Sequence, residues 1–284
     1  MRHALSPPAD PMGSDMADKL NLDAYFDRIG WSAGSGVSYQ TLAGVLDAHM
    51  SSIPFENLDV LLGRPIRLDL DGLQKKLVRD HRGGYCFEHG MLFAAVLEEL
   101  GFKPVRHTAR VVVIMPRTSA PRAHMFLTVP LAEGMFVVDP GFGALAPRVP
   151  VPLREGVEAK NGAETHWMVR DGNHWMLRTR TADKDVDCWV STVEQDNLVD
   201  FEVGNHYVAT HPESPFVNRM MMRALTEDGR VAVMNRDVTI RRGSAAEPMQ
   251  LADRTALRTL LVNYFGFDLP EAERLAVPSI PEWR

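Results

Sequence analysis

With 284 residues, 45% of them hydrophobic and 24% charged, the chain has the size and make-up of an ordinary globular protein holding two or three small cored domains. A net charge of −6 argues against non-specific nucleic-acid binding but leaves room for a local basic patch that takes an anionic ligand. No run of about 18 apolar residues offers a membrane span, the N-terminus lacks the basic-then-apolar plan of a signal peptide, and two cysteines do not make a stapled secreted fold; a cytoplasmic location is expected.

In chain order, residues 1–19 carry Pro, Asp and Ser without periodicity and are expected to be a flexible extension. Leu22, Tyr25, Phe26 and Ile29 recur at helical spacing, as do Leu42, Val45, Leu46 and Met50. Asp69 or Asp71 is positioned to cap a helix that presents Leu73 and Leu77. A further helical pattern runs from Phe87 to Leu100 and stops at Gly101. Residues 20–101 are therefore predicted to form a helical bundle.

The pattern then turns to strands. Val105–Met115 is rich in β-branched residues, and His124–Leu131 and Met135–Asp139 are joined by the turn Ala132-Glu133-Gly134. Asp171-Gly172-Asn173 separates His166–Arg170 from His174–Arg178, a good hairpin signal. Residues 102–194 are predicted to be antiparallel sheet, a small barrel, with Cys188 as a buried small hydrophobe. A connecting helix is expected over 195–207. Residues 208–284 mix strands at Val231–Met234 and Val238–Arg241 with a helix from Asp253 to Phe265, capped by Asp253 and striped by Leu257, Leu260, Leu261 and Tyr264. The fold class is α+β.

The chemistry concentrates in Arg82-Gly83-Gly84-Tyr85-Cys86-Phe87-Glu88. A cysteine after a glycine turn and at the start of a helix meets unpaired backbone N–H groups and the positive end of the helix dipole, both of which favour thiolate. His124 in one strand and Asp139 at the end of the next supply a base and a group to orient it, so Cys86, His124 and Asp139 are the candidate catalytic residues. Arg82 and Glu88 are expected to pair across the cysteine and fix its turn, with Glu56 and Asn57 satisfying nearby backbone groups. Phe142, in the loop after Asp139, is a candidate wall for a flat aromatic substrate. Cys86, Glu88 and His89 do not share one helical face and no second ligand pair exists, so no metal is expected.

Together with Ile53-Pro54-Phe55-Glu56-Asn57-Leu58-Asp59-Val60 and Thr210-His211-Pro212-Glu213-Ser214-Pro215-Phe216, these segments resemble the arylamine N-acetyltransferases, in family order over roughly residues 20 to 270. Two departures stand out: Gly90 where the family commonly has asparagine, and Pro140 where it often has an apolar residue. The resemblance implies a helical bundle, a β-barrel and an α/β lid around a cysteine-protease-like Cys-His-Asp core. It implies acetyl-CoA as donor, with an acetyl group passed through Cys86 in a ping-pong reaction to arylamines, arylhydrazines or N-hydroxyarylamines. It adds Val111 and Phe216 to the pocket walls. Arg219, Arg223 and Arg241 are open candidates for the coenzyme A phosphates. Rival readings are a macrolactam-forming amide synthase of the same family, a papain- or transglutaminase-like cysteine hydrolase, and a binding protein that kept only the fold. Neither nucleic acid nor membrane is an expected partner, and a homodimer is left open.

Overall fold

A computed structural model describes residues 19–283 except Ser35, Ala163, Ala182, Asp183 and Ser244. The expected N-terminal extension therefore lies outside the described residues, apart from Lys19. The first third is helical. Helix α1 (Leu22–Ile29) is capped by Asn21, whose side chain accepts from the Ala24 amide, and ends at the left-handed Gly30. Helix α2 (Tyr39–Ser52) starts on Ser38, which accepts from the Thr41 amide. A two-residue strand β1 (Phe55–Glu56) and a single turn α3 (Leu58–Leu61) follow. Asp69, rather than Asp71, caps α4 (Leu70–Leu73), which runs on as a π-helical stretch to Arg79. Helix α5 (Cys86–Glu99) is buried along most of its length, and Gly101 (φ +88°) turns the chain away from it.

Eight antiparallel strands come next: β2 (Val105–Val111), β3 (Arg122–Leu131), β4 (Gly134–Val138), β5 (Val151–Pro152), β6 (Ala159–Asn161), β7 (Glu164–Asp171), β8 (His174–Arg180) and β9 (Asp185–Ser191). Their order is β5-β4-β3-β2-β9-β8-β7-β6. A bridge between Glu155 and Met168 brings the two ends together, so the sheet is a nearly closed barrel. The Asp171–His174 hairpin forms as its sequence signals. The strand expected over 105–115 stops at Val111: Val112 still donates to the Cys188 carbonyl, then the chain leaves the sheet.

Helix α6 (Leu198–Thr210) begins three residues later than the expected 195, because Asn197 is its cap and the Asp200 carboxylate accepts from the Asn197 amide. A short α7 (Pro215–Asn218) leads into β10 (Met221–Thr226), β11 (Gly229–Met234), β12 (Asp237–Arg242) and β13 (Ala245–Gln250). With β1 these form a second sheet, ordered β1-β10-β11-β12-β13. Helix α8 (Arg254–Leu260) is capped by Asp253 and continues as a π-helical turn to Phe265 before the left-handed Gly266. Buried apolar side chains gather in three clusters: among the helices and the barrel strands that face them, within the barrel, and between the second sheet and α8. Among the described residues, no helix is long and apolar enough to cross a membrane.

Candidate active site

Cys86 is the first residue of α5, and glycine makes its approach fit. A Cβ on Gly83 would stand 2.2 Å from the Pro54 carbonyl oxygen, and one on Gly84 would stand 2.8 Å from the Glu88 carboxylate. Only a bare backbone passes between β1 and α5 there. The Glu88 carboxylate accepts from the Tyr85 amide, satisfying a donor that the helix start leaves free.

β3 presents His124, and the paired β4 delivers Asp139 one residue past its end. His124 Nε2 donates to Asp139 Oδ2 at 2.8 Å, with both residues buried. That bond fixes the tautomer and leaves Nδ1 without the carboxylate; the Cys86 sulfur lies 4.0 Å from the Ala123 carbonyl, next to His124 in the chain, and is near enough to the ring to help raise its pKa. Burial alone would lower the imidazole pKa. The Asp139 charge and hydrogen bond, aided by Cys86, overcome it and carry His124 up to about 10. These neighbours favour the protonated ring.

The loop after Asp139 closes on the cysteine. A Cβ on Gly141 would lie 2.5 Å from the Cys86 Cα, and the Phe142 ring meets His124 edge-on, with centroids 5.0 Å apart. Cys86 and His124 line a mostly apolar cleft of about 430 Å³, and Val111, Phe142 and Phe216 line it too. Val113, Ile114 and Met115, expected as strand, instead form one lip of that cleft. Of the three arginines considered for phosphates, Arg219 and Arg241 are exposed. Arg223 is buried and donates to the Gly143 carbonyl at 2.5 Å, bracing the same loop.

The sequence matches the N-acetyltransferase family model over residues 38–274. It is 36% identical to the arylamine N-acetyltransferase of Mycolicibacterium smegmatis, over 88% of this chain and 93% of that one. It is 33% identical to the enzyme of Escherichia coli, over 89% and 90%. The chain belongs to the arylamine N-acetyltransferase family. Among solved structures, the Mycobacterium tuberculosis enzyme superposes with a TM-score of 0.84 at 33% identity, covering 89% of this chain and 98% of that one. The Mycobacterium marinum enzyme in complex with CoA superposes equally well, at 0.84 and 32% identity, over 89% and 94%.

In this N-acetyltransferase the supporting charges are wired differently from the expected Arg82–Glu88 pair. Arg82 instead clamps Glu56, with Nη2 2.6 Å from Oε1, and also reaches Asp59. Glu88 takes Lys76, at 2.8 Å. The reason is direction: Glu88 points back to cap its own helix, and the π-helical stretch swings Lys76 over it. Burial raises the Glu88 carboxyl, Lys76 opposes this, and the balance is about 7; Asp59, pulled by Lys76 and Arg82 against its own burial, falls to about 2. Asn57 does satisfy backbone groups, donating to the carbonyls of Phe216 and Arg219 and accepting from the Met221 amide. It thereby sets the position of Phe216. Among the described residues no group of three or more His, Cys, Asp or Glu is arranged to hold a metal.

Trp189 was not singled out from the sequence. Its indole Nε1 donates to Asp139 Oδ2 at 2.8 Å. A signal existed, because a buried tryptophan in a strand needs an acceptor for its N–H. What the sequence lacked was the register that brings β9 beside β2 and β3. The neighbouring Cys188 is a free, fully buried thiol whose pKa burial pushes well above its ordinary value.

Proposed function

We propose that the protein transfers an acetyl group from acetyl-CoA to the nitrogen of arylamines, arylhydrazines or N-hydroxyarylamines, through an acetyl-cysteine on Cys86. The observation that carries this reading is that Cys86 and His124 line one apolar cleft, with the Asp139 carboxylate bonded to the imidazole behind it. In the first half-reaction the Cys86 thiolate attacks the thioester carbonyl. The tetrahedral adduct collapses with cleavage of the carbon–sulfur bond to coenzyme A, and the His124 imidazolium protonates the departing thiolate. One thioester replaces another, so this step is nearly isoenergetic. In the second, the acceptor nitrogen attacks the acetyl-cysteine, neutral His124 takes the nitrogen's proton, and the Cys86 thiolate leaves. Thiolate and imidazolium, consumed in the first half-reaction, are regenerated and an amide has formed, which makes the step downhill.

The cleft chemistry suits such acceptors. Arylamines and hydrazines are largely neutral near pH 7 and arrive ready to attack, and Phe142 and Phe216 offer rings to a flat partner. Apolar walls limit water, the competing acceptor. We place the residues in three functional units: a helical bundle (20–101) giving the nucleophile, a barrel (102–194) giving base and carboxylate, and, beyond the connecting helix α6 (Leu198–Thr210), a lid. A reducing cytoplasm suits an enzyme that works through a free thiol. The relatives' names favour this activity over the amide-synthase and hydrolase readings.

The test is incubation with acetyl-CoA alone. It should add one acetyl mass, located on Cys86, and initial rates with an aniline should give parallel double-reciprocal lines. Cys86→Ala should fold normally and transfer nothing. Full transfer by that variant, or an acetyl mass found elsewhere, overturns the proposal.

A further inference from the structure

The Asp139 carboxylate is fully buried, and both of its hydrogen bonds fall on one oxygen. His124 Nε2–H and Trp189 Nε1–H each donate to Oδ2 at 2.8 Å. Oδ1 has no hydrogen-bond partner among the described residues. The indole is held by packing. Trp189 is 0% exposed and stacks on Phe126, with centroids 4.1 Å apart and planes 26° from parallel. Strand register explains how it arrives: Ala109 on β2 pairs with His124, and Val111, two residues on, pairs with Trp189. The register shift between Ala109 and Arg110 skips Ala123 on β3 and leaves the alternation along β2 intact, so all four side chains leave the sheet on one face. The small Ala109 between them packs in the same core as the indole and leaves it room to reach the carboxylate.

We propose that Trp189 is a positioning residue for the relay, its N–H holding the Asp139 carboxylate in the one orientation that presents Oδ2 to His124. The inference rests on the acetyl-transfer reading. A carboxylate with a single donor can turn about its Cβ–Cγ bond, and the imidazole then loses the contact that fixes its tautomer and aims Nδ1 at sulfur. Among the described residues, His124 and Trp189 alone have side chains that donate to this carboxylate. The other titratable groups that feel the carboxylate, His166 and Cys188, are both kept neutral by burial, and His166 spends its Nε2–H on the Leu145 carbonyl.

The test is Trp189→Phe, which keeps an aromatic ring for the stack and removes the donor. We expect kcat/KM to fall about ten- to a hundredfold, the worth of a hydrogen bond to a buried charge. The KM for acetyl-CoA should hardly change. The basic limb of the kcat/KM profile should move to lower pH, since a carboxylate free to turn raises the His124 imidazole less. In an Asp139→Asn background the same substitution should cost less than about twofold, because its effect runs through the carboxylate. A wild-type rate, or an equal loss in both backgrounds, overturns the role and leaves Trp189 as packing. Should Trp189→Phe not fold, ¹⁵N-indole spectra of Asp139→Asn decide: loss of the carboxylate should move one of the five tryptophan N–H resonances upfield, and an unmoved set overturns the proposal. An active Asp139→Asn would sink the relay itself, whereas an inactive one beside a fully active Trp189→Phe sinks only this inference.

Discussion

At the scale of single residues, the site depends on close approach. Gly141 brings the loop after Asp139 onto the Cys86 backbone, where any Cβ would collide with main chain. Gly90, the departure from the family's asparagine, is a softer case: a Cβ there would stand 2.9 Å from the sulfur of Met125, a flexible side chain that can move aside. The charge on His124 follows from its neighbours. Because Asp139 raises the imidazole to about 10, acetyl transfer from acetyl-CoA should fall off as pH rises through that value and the imidazolium loses its proton. Asp139→Asn should cost about 10⁴-fold in rate and move this basic limb to lower pH, since the group that raised the pKa is gone. A rate profile from pH 6 to 11 for both proteins checks this; an unmoved basic limb would assign the perturbation to something other than Asp139.

Among elements, a buried charge cluster ties the start of α5 to its neighbours, beside the apolar core that takes in the rest of the helix. Lys76 on the π-helical stretch bridges Glu88 on α5 and Asp59 on α3, while Arg82 ties Asp59 to Glu56 on β1 and lies over the Phe267 ring. Lys76→Met should destabilise the protein by about 3–5 kcal/mol in denaturant unfolding, because it strands a buried carboxylate. Adding Glu88→Gln should recover part of the loss; if the double variant is no more stable than the single, the pair is not the unit of stability. Elements with a clean period were legible in sequence: α1, α2, α5 and the β7–β8 hairpin. β10 was not, because Met221-Met222-Arg223-Ala224-Leu225 carries helix-favouring residues and becomes a strand only by pairing with β1 and β11 on either side. β13 was missed too, since Pro248 and an exposed run hide a strand that is viable only at a sheet edge.

Across the whole molecule, burial of neutral histidines sets how the fold responds to acid. Tyr25 OH, His49 and His89 form a buried chain ending on the Pro54 carbonyl, with links of 2.8, 2.8 and 3.2 Å. The carbonyl can only accept, so His89 Nε2 donates to it, His49 Nε2 donates to His89 Nδ1, and the tyrosine hydroxyl donates to His49 Nδ1. Burial lowers both histidine pKa values, His89 to about 4, against 6.5 for an ordinary histidine. Between those values the unfolded chain binds more protons than the folded one. Stability should therefore be complete above about pH 6.5 and decline as pH falls toward 4, and His89→Gln should flatten that decline in melting curves recorded over the window. An unchanged slope would place the acid sensitivity elsewhere. By itself, the sequence determined which residues could do chemistry and much of the local structure. Periodicity, capping residues and the glycine turn before Cys86 act through neighbours along the chain, and five segments in family order named the family. Only tertiary structure decided that Trp189 shares the Asp139 oxygen with His124, that Glu88 answers Lys76 and not Arg82, and that Val113–Met115 line a cleft instead of extending a strand. Each of these turns on strand register and on which charges are buried together, and both are set by contacts between residues far apart in sequence.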